Sequence, residues 1–430
     1  MMSALLLIKI AWRNLWRNPR RTLLTALALG LGLALLLIAV GMNDGRNEQM
    51  IANGVRLGGG HVVVQAKGYQ ETHSQELLLP AAVVSATEEL LHAGEMMHAL
   101  QGVSPRLLAS GLLSSAANAS GVGIVGVIPE KERSVSLAAQ RIVEGGYLDD
   151  SKPSGVVIGA ELARKLEVQV GSKVVLMAQA IRPVHADEGE AAEGEIQSAL
   201  FRVVGIFRTG LQEVDAYVIH LPLSAAQALL GEPDQVTQVA IFLQQESDSP
   251  LVARRLRQRL AGAPAEVLTW RESMVELAQV VWLGSAFRYV MLGFVLVMVG
   301  LGLLNTILMA VLERRYEFGV CAALGLGPGQ LAGIVLSESL ALAVISVALG
   351  LALGLSVHHY FATSGLDLRW FTETSFSTAG TVIDPILYSH LSLSRVAWSG
   401  SIVFVMAAVM ALYPALKAAR TELSAALRVL

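Results

Sequence analysis

The sequence predicts a membrane protein of four transmembrane α-helices, with a large α+β extracytoplasmic domain inserted between helices 1 and 2. Three observations predict it. The chain of 430 residues is 53% hydrophobic and only 16% charged, and its mean hydropathy of +0.55 lies well outside the balance of soluble domains. Four runs reach the roughly 20 apolar residues that a helix needs to cross a hydrocarbon core about 30 Å thick. The stretch between the first two runs, residues 43–281, alternates short β-like and helical patterns instead.

The elements follow in chain order. In residues 1–21, "ALLLIKIAWRNLWRNPRR" places Leu5, Ile8, Trp12 and Leu15 at helical spacing, with Lys9, Arg13 and Arg17 on another face. This reads as an amphipathic helix lying in the membrane interface and turning at Pro19; topology control by positive charge accounts for the same arginines. Residues 22–42 carry no charge and form the first span, too long an apolar run for a cleavable signal peptide. A helical stretch through Asn43–Arg56 leads into "HVVVQA" at 61–66 and "GVGIVGVI" at 121–128, both strand-like. A helix-like "GAELARKLEV" at 159–168 precedes two β-branched strands, "GSKVVLMAQ" and "FRVVGIF". Between those strands, residues 182–199 are acidic and without apolar period, an exposed loop. "DAYVIHLPL", a helix at Ser224–Leu230, the strand "QVAIFL" and a basic helix around Leu251–Leu260 complete the domain. From Arg271 the pattern is helical again, giving a stalk and second span at 282–312 that leave the domain as one helix. A polar segment at 313–330, a third span at 331–357, a loop at 358–395, a fourth span at 396–416 and a tail at 417–430 finish the chain.

Orientation follows from the lysines and arginines beside the spans. Lys9, Arg13, Arg17, Arg20 and Arg21 precede the first, Arg314 and Arg315 follow the second, and Lys417, Arg420 and Arg428 follow the fourth. All three regions, both termini included, are therefore expected in the cytoplasm. Residues 43–281 hold 19 basic and 28 acidic side chains and belong outside.

Catalytic patterns are missing from the sequence. It has no G-x-x-x-x-G-K-[ST] loop, no H-E-x-x-H, no G-x-S-x-G and no S-x-x-K. Among nine histidines, His92 and His98 are six apart and His358 and His359 adjacent, neither matching a helical metal-ligand face. Cys321 is the one cysteine, which excludes an intrachain disulfide. No catalytic residue, metal or cofactor is expected on this chain, and no nucleic acid partner. Two polar residues inside spans remain. Asn305 reads as a hydrogen-bonding contact between helices. Glu338 is either a buried contact between moving helices or a group near enough to the interface to reach water, Arg314 or Arg315.

Three blocks carry a resemblance: "AWRNLWRNPRRTLLTALALGLG", "NTILMAVLERRYEFGVCAALGLGPGQLAGIVLSESL" at 305–340, and the terminal "YPALKAARTELSAALR". Together they resemble the permease subunits of type VII ABC systems, which include lipoprotein-releasing, macrolide-exporting (MacB-like) and cell-division (FtsX-like) permeases. The middle block looks like that family's E-R-x-x-E-[IF]-G-x-x-x-A-x-G signature, here Glu313, Arg314, Glu317, Phe318, Gly319, Ala323 and Gly325. Cys321 stands where members often carry a basic residue, and Leu423 where they often carry proline. "VVIGAELARKLEVQVGSKVVLM" and "FRVVGIFRTGLQEVDAYVIHLPLSAAQALLG" look most like the lipoprotein-releasing branch, LolC and LolE. The acidic loop lacks the hook by which one such subunit recruits a soluble carrier.

The resemblance implies a porter-like outer lobe with a small inserted lobe, and a coupling helix at 313–330 that docks into a cytoplasmic P-loop ATPase dimer. ATP and magnesium would then reside on that partner. It also implies a second permease chain, identical or paralogous, and a periplasmic carrier or adaptor. Motion passed along the second helix would move a hydrophobic cargo, a lipoprotein or lipid, out of the membrane. Export of a peptide or drug through an adaptor, and regulation of a cell-wall hydrolase without transport, are the competing expectations.

Overall fold

The computed structural model describes residues 4–92, 96–180, 195–370, 376–378 and 380–420. The chain divides into two compact units, one of Met1–Glu48, Trp282–Phe371 and Ile386–Leu430, the other of Gln49–Val281 and Thr372–Pro385.

The first unit is helical. Four helices among the described residues are long and apolar enough to span a membrane: Pro19–Leu57, Val275–Glu313, Pro328–Thr363 and Leu393–Ala419. Each exceeds the apolar run that announces it, because the flanking residues are helix formers without a break. The first passes Gly41 and Gly45 uninterrupted and ends at Leu57. Ala4–Leu15 precedes it as a separate helix. There Ala11 and Leu15 are buried while Trp12 and Trp16 face outward, so the face expected to join Trp12 with Leu15 is divided between bundle and surroundings. The spans pack through Leu303, Ile307 and Val311 of the second, Leu331, Val335 and Leu342 of the third, and Ala407, Ala411 and Ala415 of the fourth, the spacing of one helix face.

Small residues set the approach of the first and third helices. Ser346, Gly350 and Gly354 recur every fourth residue, and a Cβ on Gly350 would stand 2.8 Å from the Gly30 carbonyl oxygen. Close backbone packing of this kind replaces the hydrophobic drive that lipid does not provide.

The second unit is an α+β fold on one sheet. Its strands are β1 (Val62–Ala66), β2 (Leu100–Ser114), β3 (Ala119–Val127), β4 (Ile142–Gly145), β5 (Gly155–Gly159), β6 (Lys173–Gln179), β7 (Ile196–Phe207), β8 (Val218–Pro222), β9 (Gln238–Leu243) and β10 (Ala265–Thr269). They are ordered β10-β1-β9-β2-β3-β8-β5-β7-β4, with β6 across β2 and β7. The β6–β7 hairpin pairs Gln179 with Ile196, so residues 196–199 are strand and not part of the acidic loop. Residues 182–194 of that loop lie outside the described residues. "DAYVIHLPL" also divides: Asp215–Tyr217 close a short helix and the strand starts at Val218.

Strand β2 belongs to two cores. Its first half pairs with β9 beside a cluster of Val62, Val64, Val103, Ile241 and Leu256. Its second half pairs with β3 beside Leu107, Leu113, Ile124, Ile158 and Leu176. Alternation decides what β9 buries: Val239, Ile241 and Leu243 enter the first of these clusters, whereas Ala240 and Phe242 meet Met50, Val55, Trp270 and Leu277. At the junction Arg106 forks onto Glu132, Nη2 to Oε1 at 2.7 Å and Nε to Oε2 at 3.2 Å, and Ser104 donates to the same carboxylate at 2.5 Å. Burial opposes the Glu132 charge, but Arg106, His220 and Ser104 outweigh it and hold the carboxyl below its ordinary range.

The segment after the third span joins this unit. Phe376–Thr378 pairs with Thr381–Ile383. Asn53 Nδ2 donates to the Val382 carbonyl at 2.8 Å, Thr381 Oγ1 donates to the Met50 carbonyl at 3.0 Å, and Arg141 pairs with Asp384.

Candidate functional site

The charged segment after the second span is a short helix held by ion pairs. Helix Arg315–Ala323 follows a single non-helical residue, Arg314, at the end of Val275–Glu313. Phe318 and Gly319 are buried, Phe318 among Leu15, Val311, Leu331 and Val335. Arg315, Tyr316 and Ala323 are exposed, as is Leu324 just past the helix, at 78%. Gly325 lies just past the helix with φ +95°, donating to the Ala322 carbonyl at 3.0 Å. Its role in this chain is to end the helix in a conformation that costs other residues strain. Gln330 then accepts from the Gly327 N–H at 2.9 Å, and Pro328 opens the third span.

Three salt bridges hold this region, one from Glu317 within the short helix, one from Glu313 at the end of the second span and one from Arg314 between them. Arg17 donates to both oxygens of Glu317, at 2.6 and 3.0 Å. Arg21 donates to Glu313 at 2.5 Å. Arg314 Nη1 lies 3.0 and 3.3 Å from the two oxygens of Glu338. The first two are exposed. The third is not, with side-chain exposures of 10% and 19%. The hydrogen bond from Arg17 holds the Glu317 carboxyl below the usual carboxylate range, burial working against it and the charges of Arg17 and Arg314 adding to it. The same bond raises the Arg17 guanidinium. Arg17, read from sequence as part of the polar face of an interfacial helix and as a topology signal, and Arg21, read as a topology signal, are thus the partners of the signature carboxylates. The spacing of "RNPRR" against "ERRYE" is the charge complementarity that carried this information.

Of the two intraspan candidates, only Glu338 meets a partner. Asn305 is exposed and makes no side-chain hydrogen bond among the described residues, which corrects its expected interhelical contact. The buried stripe Leu303, Ile307, Val311 explains this: residue 305 lies about 200° around the helix from 303.

Within the α/β unit, Tyr147 Oη lies 2.9 Å from His220 Nδ1, with Phe207 against the ring. Burial lowers His220 to about 4, the Glu132 charge only partly resisting. These groups are packed and closed. Among the described residues no cluster of three histidine, cysteine, aspartate or glutamate side chains is arranged to hold a metal ion.

Long apolar helices, an α+β domain inserted after the first, and a charged helix clamped between second and third define the class, a multi-pass permease subunit. The chain belongs to the MacB-like and FtsX-like ABC transporter permeases: a family model described as MacB-like periplasmic core domain matches residues 22–259 and one described as FtsX-like permease C-terminal matches 289–423. It is similar to the lipoprotein-releasing system transmembrane protein LolC of Neisseria meningitidis, 24% identical over 351 residues, 79% of this chain and 80% of that one. The corresponding LolE of Haemophilus influenzae is 22% identical over 391 residues, 86% and 91% of the two chains. The pyoverdine export ATP-binding/permease protein PvdT of Pseudomonas entomophila is 25% identical over 366 residues, 81% of this chain but 51% of its own length. Members of this family are the membrane components of ABC transporters.

Proposed function

We propose that the chain is the permease of an ATP-driven system in a bacterial inner membrane, which extracts a lipoprotein or lipid from the outer leaflet by passing mechanical motion through its helices. One observation carries the reading. Helix Arg315–Ala323 exposes Arg315 and Tyr316, with Leu324 exposed just past it, while Glu317 ties the helix to Arg17 and the two residues ahead of it, Glu313 and Arg314, are tied to Arg21 and to Glu338 of the third span. A helix clamped in this way transmits force instead of absorbing it. In this reading Glu313, Arg314, Glu317, Phe318, Gly319, Ala323 and Gly325 form the seat for a separate cytoplasmic ATPase dimer, which holds the ATP and magnesium. A second permease chain completes the path, with a carrier or adaptor outside. The similarity to LolC and LolE along most of both chains favours lipoprotein release. The similarity to PvdT favours the second reading, export of a small molecule.

Purification of the intact chain with its bound ATPase, followed by release of a radiolabelled lipoprotein from proteoliposomes on ATP addition, tests the cargo. Release of a peptide or siderophore and of no lipoprotein selects the second reading. The orientation is tested separately. In a Cys321→Ser background, Asp150→Cys should react with an impermeant maleimide in intact spheroplasts; in the unaltered chain Cys321 should react only after lysis.

A further inference from the structure

We propose that the cavity between the first, second and fourth long helices binds an anionic phospholipid, the phosphate on Arg288 and Arg395 and an acyl chain below it. The cavity has a volume of about 340 Å³, within the range of small-molecule sites. Leu36, Val40 and Leu292 give it an apolar floor, and Tyr289 and Trp398 stand with the two arginines. Tyrosine and tryptophan at the end of a span mark the level of lipid head groups.

Charge decides the ligand. Among the described residues, Arg288 and Arg395 are the only charged side chains lining the cavity. Both pair with one carboxylate, Asp44, Arg288 at 2.6 Å. Asp44 is 8% exposed and is not in the lining. Two guanidinium groups on a single carboxylate leave one positive charge in excess. Arg46, on the same helix as Asp44 but not in the lining, does not neutralise that charge, being bonded to the neutral Asn43 side chain at 2.9 Å. Glu48, one turn further along, is turned to His390 at 3.0 Å. Arg395 also sits in the first turn of Leu393–Ala419, where the helix dipole favours an anion. These arginines lie at the end of the spans away from Lys9, Arg13 and Arg17, so the positive-inside bias does not explain them. Guanidinium forks match phosphate oxygens, and the apolar floor selects an anion that carries a hydrocarbon chain. This inference does not depend on the identity of the cargo.

The test is native mass spectrometry of the full chain in detergent, titrated with phosphatidylglycerol, phosphatidylcholine and glycerol 3-phosphate. Phosphatidylglycerol should bind at least tenfold more tightly than phosphatidylcholine, and glycerol 3-phosphate should not displace it. Arg395→Gln, which leaves Arg288 on Asp44, and Val40→Phe, which fills the floor, should each weaken phosphatidylglycerol binding about tenfold. Arg395→Lys should retain most of it. Equal binding of the two lipids, displacement by glycerol 3-phosphate, or wild-type affinity in both Arg395→Gln and Val40→Phe would overturn the assignment.

Discussion

Arg17 and Glu317, three hundred positions apart in the chain, face each other through two hydrogen bonds of 2.6 and 3.0 Å. The pair fastens the turn before the first span to the helix proposed to receive the ATPase. Both side chains are exposed, so its value is geometric, fixing the register of the short helix. Reversing one charge sets two like charges against each other. Glu317→Arg should therefore cut coupled ATPase activity of the reconstituted complex about tenfold, with the chain still in the membrane. The double exchange Arg17→Glu with Glu317→Arg should recover at least half. Coupling left at wild-type level by Glu317→Arg would remove the register argument.

Arg314 and Glu338 form a different kind of pair. With exposures of 10% and 19%, neither charge is well solvated, and removing one partner leaves the other stranded. Breaking such a pair costs roughly 3 kcal/mol, whereas replacing both members by apolar side chains of similar volume is close to neutral. Glu338→Leu should lower the melting temperature of the detergent-solubilised chain, and Arg314→Met with Glu338→Leu should restore most of the loss. If the double variant melts as low as the single one, the stranded Arg314 charge is not what destabilises Glu338→Leu.

Acid should weaken the α/β unit through His220. Burial lowers this imidazole from 6.5 to about 4 in the folded chain. Between those values the unfolded chain binds the extra proton and the folded chain does not, so stability falls as pH drops from 6.5 towards 4. A shift of this size corresponds to about 3 kcal/mol at most. Glu132, whose folded value is lowered, removes further stability below its unfolded range. His220→Gln keeps an acceptor for Tyr147 without a titrating ring, and should flatten the slope between pH 6.5 and 4. Fluorescence melting with the buried Trp270 as reporter measures it. An unchanged slope would place the acid sensitivity elsewhere.

What the sequence made legible, and what it hid, follows from how each element is stabilised. The spans are visible because a run of uncharged apolar residues has few alternatives. "VVVQA" is visible because β1 is buried on both faces. Strand β2, "LQGVSPRLLASGLLS", has no assignment in the sequence, where Pro105, Gly102 and Gly111 interrupt any strand pattern. Yet its length is set by two cores that no local pattern reports, and Gly111 is required where a Cβ would come 2.6 Å from the Met177 carbonyl oxygen. At the candidate site the carboxylates of the signature were legible, but their partners Arg17 and Arg21 were not. An arginine that sets topology and one that forms an ion pair look alike until the chain folds. Asn305 misled for the opposite reason: polarity within a span is a signal, but the direction of the side chain is decided by the stripe at 303, 307 and 311.

Glycines within apolar helices look alike in the sequence, and two of them differ sharply in the fold. At Gly350 an added Cβ would lie 2.8 Å from the Gly30 carbonyl oxygen and 2.8 Å from the Leu33 Cβ, and the backbone oxygen has no rotamer by which to yield. At Gly400 the nearest atom is 3.8 Å away. Alanine is favoured over glycine in a helix by about 1 kcal/mol, a gain available at both sites. At Gly350 the overpacking, typically about 1–3 kcal/mol, exceeds it and forces the first and third helices apart. Gly350→Ala should therefore lower the melting temperature and Gly400→Ala raise it or leave it unchanged, under the same detergent. Equal shifts at the two positions would mean that the helices are not held by the stripe of Ser346, Gly350 and Gly354, and that close backbone packing does not fix their distance.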